Sequence, residues 1–231
     1  MEKFLTITST FIEKSTDTRY FLLFANFLII TDTVLCKTIN TPLLQFTYSD
    51  VTNKLQLGAT LIYMSFFLFY ISVVTPLSSY IVGFLLTYFS SEKFSIFYDV
   101  NKDKHKNLDY IPLYELKDEA ITENNSVKFN LYLKEENKNN DELQLYKLSF
   151  SFLLTSVLSF FITYNYHESI LSIAFNFVKS SDGFLQPFIS LIMIALIIHC
   201  FFLGVGGYCL NRYTCRYVYI SNKNINARAR A

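Results

Sequence analysis

The chain has 231 residues, of which 52% are hydrophobic, 18% aromatic and 17% charged. This composition excludes a disordered or collagen-like chain, and the charged fraction falls below the roughly 25% of a typical soluble domain. The 20 lysine and arginine residues face 19 aspartate and glutamate residues, which argues against nucleic acid as a partner. Because the apolar residues gather into long runs, we predict an integral membrane protein whose first partner is the lipid bilayer.

Four apolar runs are candidates for membrane spans. A bilayer core of about 30 Å needs about 20 apolar residues in a helix. The predicted spans are residues 20–36, 55–75, 148–166 and 184–210. The runs are continuous, whereas strands of a membrane barrel alternate between apolar and polar residues. The expected fold class is therefore an all-α four-transmembrane-helix bundle with a small α+β cytoplasmic insertion between helices 2 and 3.

The second apolar run continues to Phe89, which is too far for one crossing. Pro76 divides it, since proline lacks a backbone donor and clashes with the preceding turn. We therefore predict a helix break at Pro76, followed by a helical extension over 76–90. The residues leave open whether this extension is interfacial, re-entrant or cytoplasmic.

The distribution of basic residues predicts the orientation. Segments 1–19, 91–147 and 211–231 hold 17 of the 20 lysines and arginines, and the loops 37–54 and 167–183 hold the other three. The positive-inside rule then places both termini and the insertion in the cytoplasm. No cleaved signal peptide is expected, because the first 19 residues mix acids with bases and no small-x-small site follows the first run.

Residues 91–147 form the predicted cytoplasmic insertion. Apolar residues alternate with polar ones at 94–100 and at 127–133, which predicts two strands. Between them Pro112 opens a helical stretch that ends at Asn124.

A polar turn is expected over 134–140, with Asp141 capping a helix that leads into the third span. An insertion this small buries a poor core by itself. We expect it to pack on the helix at 77–89, on the C-terminal tail or on another chain. In the second outer loop, apolar residues at helical spacing over 170–178 predict an interfacial helix, with an irregular apolar loop as the alternative.

Asp32 and His199 are the ionisable residues that lie deepest in the predicted spans. Each is 13 residues from an arginine at the cytoplasmic boundary, Arg19 for the first and Arg212 for the second. Both should therefore lie about 20 Å above that boundary, where a buried Asp32–His199 pair is geometrically feasible. Such a pair would either relay protons or coordinate an ion, or only hold two helices together.

Three glycines in the fourth run, Gly204, Gly206 and Gly207, predict close helix packing. The tail is basic, and its cations could bind anionic headgroups or serve as topological anchors. These cations are Arg212, Arg216, Lys223, Arg228 and Arg230. Cysteines and histidines do not cluster, and no nucleophile lies beside a base. We therefore predict no catalytic residue, metal site or cofactor.

The expected function is that of a non-enzymatic membrane interaction protein, which recognises a membrane or cytoplasmic protein partner through 91–147. In architecture alone the plan resembles small four-span inner-membrane proteins of bacteria, such as immunity, exclusion or phage-defence factors. That resemblance implies the bacterial inner membrane as the location. The alternative is a small transporter or ion-channel subunit that uses Asp32 and His199 in an oligomeric pore, and a homo-oligomer is compatible with either function.

Overall fold

The structure is a computed structural model that describes residues 17–47, 49–50, 56–89, 110–163, 168–180, 186–210 and 217–219. Seven α-helices and one pair of short strands occupy these ranges. The helices are α1 Thr18–Ile39, α2 Leu57–Phe69, α3 Thr75–Phe89, α4 Leu113–Thr122, α5 Ser126–Thr163, α6 Ile170–Ser180 and α7 Gln186–Phe201, and the strands are β1 Tyr110–Pro112 and β2 Tyr217–Tyr219. The strand predicted at 94–100 lies outside the described residues.

Four helical stretches are long and apolar enough to cross a membrane. They are Thr18–Ile39, Leu57–Tyr88, Ser126–Thr163 and Ser190–Leu210. Each contains most of one of the four predicted spans, so the prediction of four long apolar helices is confirmed. A helix also covers the stretch predicted at 170–178, as α6. We call the end of the bundle that carries the 37–54 and 164–185 connections the loop end.

The chain stays helical through Pro76, where we predicted a break. Helices α2 and α3 are joined by a π-helical segment, Tyr70–Val74, so that the path from Leu57 to Phe89 is continuous. The backbone N–H of Thr75 donates to the carbonyl of Tyr70, and its hydroxyl donates to the same oxygen at 3.1 Å. The π turn is wider than an α-helical turn, so it leaves room for the proline ring. It also tolerates the absence of the backbone hydrogen bond that proline, which has no N–H, cannot donate. The expected helix break at Pro76 is therefore corrected to a local π distortion.

The strand at 127–133 and the turn at 134–140 were wrong, because α5 is one helix of 38 residues. The segment contains neither glycine nor proline, and its lysine, glutamate and leucine residues favour a helix. The side chain of Asn125 accepts from the backbone N–H groups of Val127 and Lys128, at 3.1 and 3.2 Å. The N-cap is thus Asn125 rather than Asp141, which lies inside the helix.

Helix α4, the two strands and the first turns of α5 form a small unit, which we call the α4 unit. Strand β1 pairs antiparallel with β2 from the C-terminal tail, with Ile111 opposite Val218. Leu116, Tyr132 and Val218 are its buried core. The insertion therefore packs on the C-terminal tail, one of the three supports that we expected.

An ion pair reinforces the α4 unit. The ammonium group of Lys128 donates to Glu119 at 2.6 Å and to Glu123 at 3.2 Å. Burial by itself would lower the pKa of Lys128, but the hydrogen bonds that its ammonium group donates to the two carboxylates raise this pKa above its ordinary value. The lysine therefore stays charged throughout the physiological range and ties the end of α4 to the start of α5.

Close approach of backbones fixes the packing of the last helix against α5 and α3. A Cβ at Gly204 would lie 2.7 Å from the backbone nitrogen of Phe150, and one at Gly207 would lie 2.9 Å from the ring of Tyr146. Gly206 is buried in the same π-helical segment, Phe202–Leu210, that continues α7. On α3, a Cβ at Gly83 would lie 2.9 Å from the carbonyl oxygen of Cys209. Residues 77–89 thus run beside the last candidate span.

These contacts predict that Gly204→Ala destabilises the bundle, because the added methyl group meets the backbone of α5 rather than a flexible side chain. We expect a loss of about 1–3 kcal/mol in the free energy of unfolding, as for other overpacked sites. The measurement is a denaturant titration of the purified protein in detergent, followed by circular dichroism.

Gly58→Ala is the matched control, because nothing lies within 4 Å of a Cβ at Gly58. Alanine also favours a helix over glycine by up to about 1 kcal/mol, so this variant should be unchanged or slightly more stable. Equal unfolding curves for the two variants would contradict the close packing of Gly204.

Candidate functional site

A cluster of five buried polar side chains joins three of the four long helices. Asn26 lies on α1, Tyr70 and Thr75 lie at the π turn between α2 and α3, and Ser151 and Thr155 lie on α5. None of the five exposes more than 6% of its surface, although each lies among apolar neighbours in sequence.

Hydrogen bonds connect all five members of this cluster. The amide oxygen of Asn26 accepts from the hydroxyls of Ser151 at 3.1 Å and Thr155 at 2.9 Å. The hydroxyls of Tyr70 and Thr155 are 2.9 Å apart, and those of Thr75 and Ser151 are 3.4 Å apart. The amide nitrogen of Asn26 donates to the carbonyl of Leu22 at 2.8 Å.

The chemistry of this cluster is that of helix association. Its members are hydroxyls and an amide, which carry no charge at physiological pH and provide no general base for a nucleophile. Side-chain hydrogen bonds of this kind between apolar helices contribute about 0.6 kcal/mol each on average. The cluster therefore fixes the register of α1, α5 and the π turn.

Asp32 lies nearer the loop end and has a different role. Its carboxylate is 1% exposed, and it accepts from the backbone N–H of Leu43 at 2.8 Å and from that of Ile170 at 2.8 Å. Leu43 begins a short 3-10 turn after α1, and Ile170 is the first residue of α6. One carboxylate thus holds both connections of the loop end, and its charge lies at a helix N-terminus, where it is favoured.

Other contacts tighten the loop end around Asp32. The side chain of Gln45 donates to Glu168, joining the two connections directly. The hydroxyl of Thr33 donates to that of Ser159 at 2.7 Å, which links α1 to α5 one residue after the carboxylate.

An apolar groove opens between α1 and α2 beside this carboxylate. Its volume is about 740 Å³, which is within the range of small-molecule sites. Leu43, whose N–H is bound by Asp32, and Phe46 line its loop end. The hydroxyls of Thr31 and Tyr63 in its wall are only 2.6 Å apart, and Thr31 also donates to the carbonyl of Phe27. Since these polar groups bond to each other, the groove suits an apolar occupant such as an alkyl chain or a leucine-rich helix.

The structure does not bring Asp32 and His199 together. The carboxylate oxygens of Asp32 are used by the two backbone donors, whereas the side chain of His199 is exposed on α7. Both residues are described, and no hydrogen bond or ion pair joins them. In place of the pair, Asp32 stabilises the loop end.

No group of three histidine, cysteine, aspartate or glutamate residues within the described ranges is placed to hold a metal ion. The basic residues Arg212, Arg216, Lys223, Arg228 and Arg230 lie outside those ranges. Arg19, which is described, bonds to Asp17 and Asp141, and so links the start of α1 to α5. Its hydrogen bonds lower the pKa of Asp17 below the ordinary value for that carboxyl.

No family model, curated protein or solved structure matches the chain. The sequence pattern predicts buried roles for Asp32 and the glycines, but it does not predict that Tyr70, Thr75 and Ser151 form one cluster with Asn26. The available signal was weak, because hydroxyl residues in an apolar run bond to their own helix as readily as to a neighbour.

The position of Asp32 predicts that Asp32→Asn loosens the loop end. An amide retains one acceptor oxygen, so one of the two backbone donors loses its partner, and the remaining bond loses its charge. Hydrogen bonds to charged groups contribute about 1.5–3 kcal/mol. We expect faster amide hydrogen exchange at Leu43 and Ile170, while the centre of α5 stays protected.

Asp50→Asn is the control, because it removes one carboxylate from the same connection without touching α6. The carboxylate of Asp50 accepts from the N–H of Thr47 at 3.0 Å, within its own turn. Equal exchange at Ile170 in both variants would show that Asp32 does not anchor α6.

Proposed function

We propose that the chain is an integral membrane protein of the bacterial inner membrane, with both termini and the α4 unit in the cytoplasm. Support comes from the four apolar helices and from the 17 cations in the three segments on that side. Only 11% of the most apolar window of Leu57–Tyr88 and 17% of that of Ser190–Leu210 are buried. Lipid would cover these otherwise exposed apolar surfaces.

This orientation predicts the outcome of a reporter-fusion experiment. A reporter that is active only in the cytoplasm, fused after Ala120, should be active, because Ala120 lies in the α4 unit. A reporter of the same kind fused after Gln45, at the loop end, should be inactive. The opposite pattern would reverse the orientation, and activity at both positions would exclude a span in α2–α3.

Within this topology the chain acts as a non-enzymatic interaction protein that binds a protein partner through the α4 unit. The observation that carries this proposal is the exposure of apolar side chains in that unit. Ile121 is 59% exposed and Val127 is 76% exposed, on either side of the turn at Asn124, and Tyr114 is 59% exposed on α4. A group of such side chains on a soluble surface is typical of a protein or membrane contact.

Distance favours a protein over the bilayer as the partner of this surface. Lys147 lies 20 positions after Val127 on α5, which corresponds to a rise of about 30 Å at 1.5 Å per residue. Lys147 lies at the expected cytoplasmic boundary. An upright α5 therefore carries Val127 well beyond the headgroups, where an apolar surface can be covered by a protein. The architectural resemblance to bacterial immunity, exclusion and phage-defence factors agrees with a role in protein recognition.

The alternative function, a transporter or channel subunit, depends on polar side chains that line a path. It draws support from the polar cluster around Asn26, which lies deep in the bundle. These groups bond to one another, however, and Asp32 bonds to the backbone. Ion flux in liposomes that is altered by Asp32→Asn, with expression unchanged, would favour this alternative over the interaction protein.

We predict that the double variant Ile121→Glu, Val127→Glu loses the protein partner. The contact would bury two carboxylates without a partner, which is strongly unfavourable, so recovery of the partner should fall at least about tenfold. The measurement is crosslinking in native membranes, purification of the chain and quantitative mass spectrometry of the recovered proteins.

Asn137→Glu, Asn140→Glu is the matched control, since it adds the same charge at exposed polar positions of the same helix. The partner is identified as the protein lost with the first variant and retained with the control. If both variants recover the same proteins as the native chain, the exposed surface of the α4 unit is not the binding surface.

A further inference from the structure

His199 is a polar side chain in an unusual place. It lies near the middle of the candidate span Ser190–Leu210, and its side chain is exposed. Its neighbours along α7 are apolar, and many of them are exposed as well. Within the part of the chain that the structure describes, no hydrogen bond to the imidazole is formed.

In a bilayer this exposure is costly, because hydrocarbon provides no hydrogen-bond partner. A polar group moved from water into an apolar medium loses its hydrogen bonds to water, and this loss is unfavourable unless a new bond replaces them. Ionisable residues within membrane spans accordingly face protein or water rather than lipid. The central position of His199 makes it difficult for the side chain to reach the headgroups. Another polar group should therefore cover it.

The residues around His199 form a stripe suited to packing against a helix. Phe188, Ile192, Ala195, His199 and Phe202 follow one another at intervals of 4, 3, 4 and 3 residues, and all five are exposed. This is the spacing of the a and d positions of a left-handed coiled coil. Ala195 is small, and small residues allow helices in membranes to approach closely. We call these five residues the His199 stripe.

We propose that the His199 stripe binds the same stripe of a second copy of this chain, in a parallel dimer whose two-fold axis passes between the two His199 side chains. This inference rests on the proposed membrane insertion. Two copies in one membrane have the same orientation, so a parallel pairing sets each stripe residue opposite its own equivalent.

Hydrogen bonding favours a second copy as the occupant. A neutral imidazole carries one N–H donor and one acceptor nitrogen. Two imidazoles that face each other across a two-fold axis can form one N–H···N bond, in which one ring donates and the other accepts. A purely apolar helix packed on the stripe would leave the imidazole of His199 without a hydrogen-bond partner. One polar residue in an otherwise apolar stripe also fixes the register of a helix pair.

The dimer is tested by photo-crosslinking with two adjacent phenylalanines as a matched pair. Phe202 belongs to the stripe, whereas Phe201 lies on another face of the helix, and the two are 52% and 49% exposed. A photo-reactive phenylalanine analogue is placed at each position in turn, in the full chain in native membranes. We expect a product of twice the 26.9 kDa chain mass from position 202 and at least fivefold less from position 201.

Substitution of His199 provides a second measurement. His199→Leu should lower the dimer association constant by about three- to tenfold, the range typical of a side-chain hydrogen bond between membrane helices. His199→Asn retains a donor and an acceptor and should keep the association. Dimerisation is followed by energy transfer between labelled chains in liposomes as they are diluted with lipid. Because the photo-crosslinking uses chains with His199 intact, it remains decisive if a variant fails to insert.

Equal self-crosslinking at 201 and 202, or a product at 202 that contains only a different protein, would overturn the proposed dimer. A chain that alkaline carbonate removes from the membrane would instead refute the membrane insertion on which the proposed function rests. A chain that stays in the membrane as a monomer would overturn only the dimer.

Discussion

The packing of this protein depends on pairing polar groups within an apolar bundle. Asn26, Ser151 and Thr155 join α1 to α5, and Tyr70 brings in the π turn. If the bundle is inserted in lipid, as we propose, apolar side chains gain little from leaving one apolar surface for another, so association depends on close packing and hydrogen bonds. Helix α5 provides both, because it forms these hydrogen bonds and its backbone at Phe150 also packs closely against Gly204. Its uninterrupted path therefore organises the other long helices.

At the loop end, a buried carboxylate is likewise paired with hydrogen-bond donors. Asp32 is buried, and two backbone N–H groups from separate connections occupy its carboxylate. This arrangement satisfies donors that would otherwise be unpaired at the start of α6 and of the 3-10 turn. It also positions Leu43 at the edge of the α1–α2 groove. A residue that appears catalytic or ion-binding in the sequence can thus serve the architecture.

In the topology that we propose, the two halves of the molecule expose apolar residues for different reasons. On α2 and α7 the exposed apolar residues lie in candidate spans that lipid would cover, and His199 is the exception that calls for a polar partner. On the α4 unit they lie far along α5, where water would surround them. The same chemical property therefore indicates a membrane contact in one half and a protein contact in the other, and the position along α5 distinguishes the two.

The sequence by itself determined the four apolar helices, the helix after Pro112 and the basic segments, because these follow from composition and periodicity along the chain. Prediction from the local sequence pattern failed where one pattern is compatible with two different secondary structures. The alternation of apolar and polar residues at 127–133 was compatible with a strand. The segment is helical instead, because no helix-breaking residue occurs before Thr163, where α5 ends. Pro76 likewise predicted a break that the π turn avoids. Only the tertiary structure decided the partners of Asn26 and Asp32, because hydrogen bonds between residues more than 100 positions apart depend on how the helices pack.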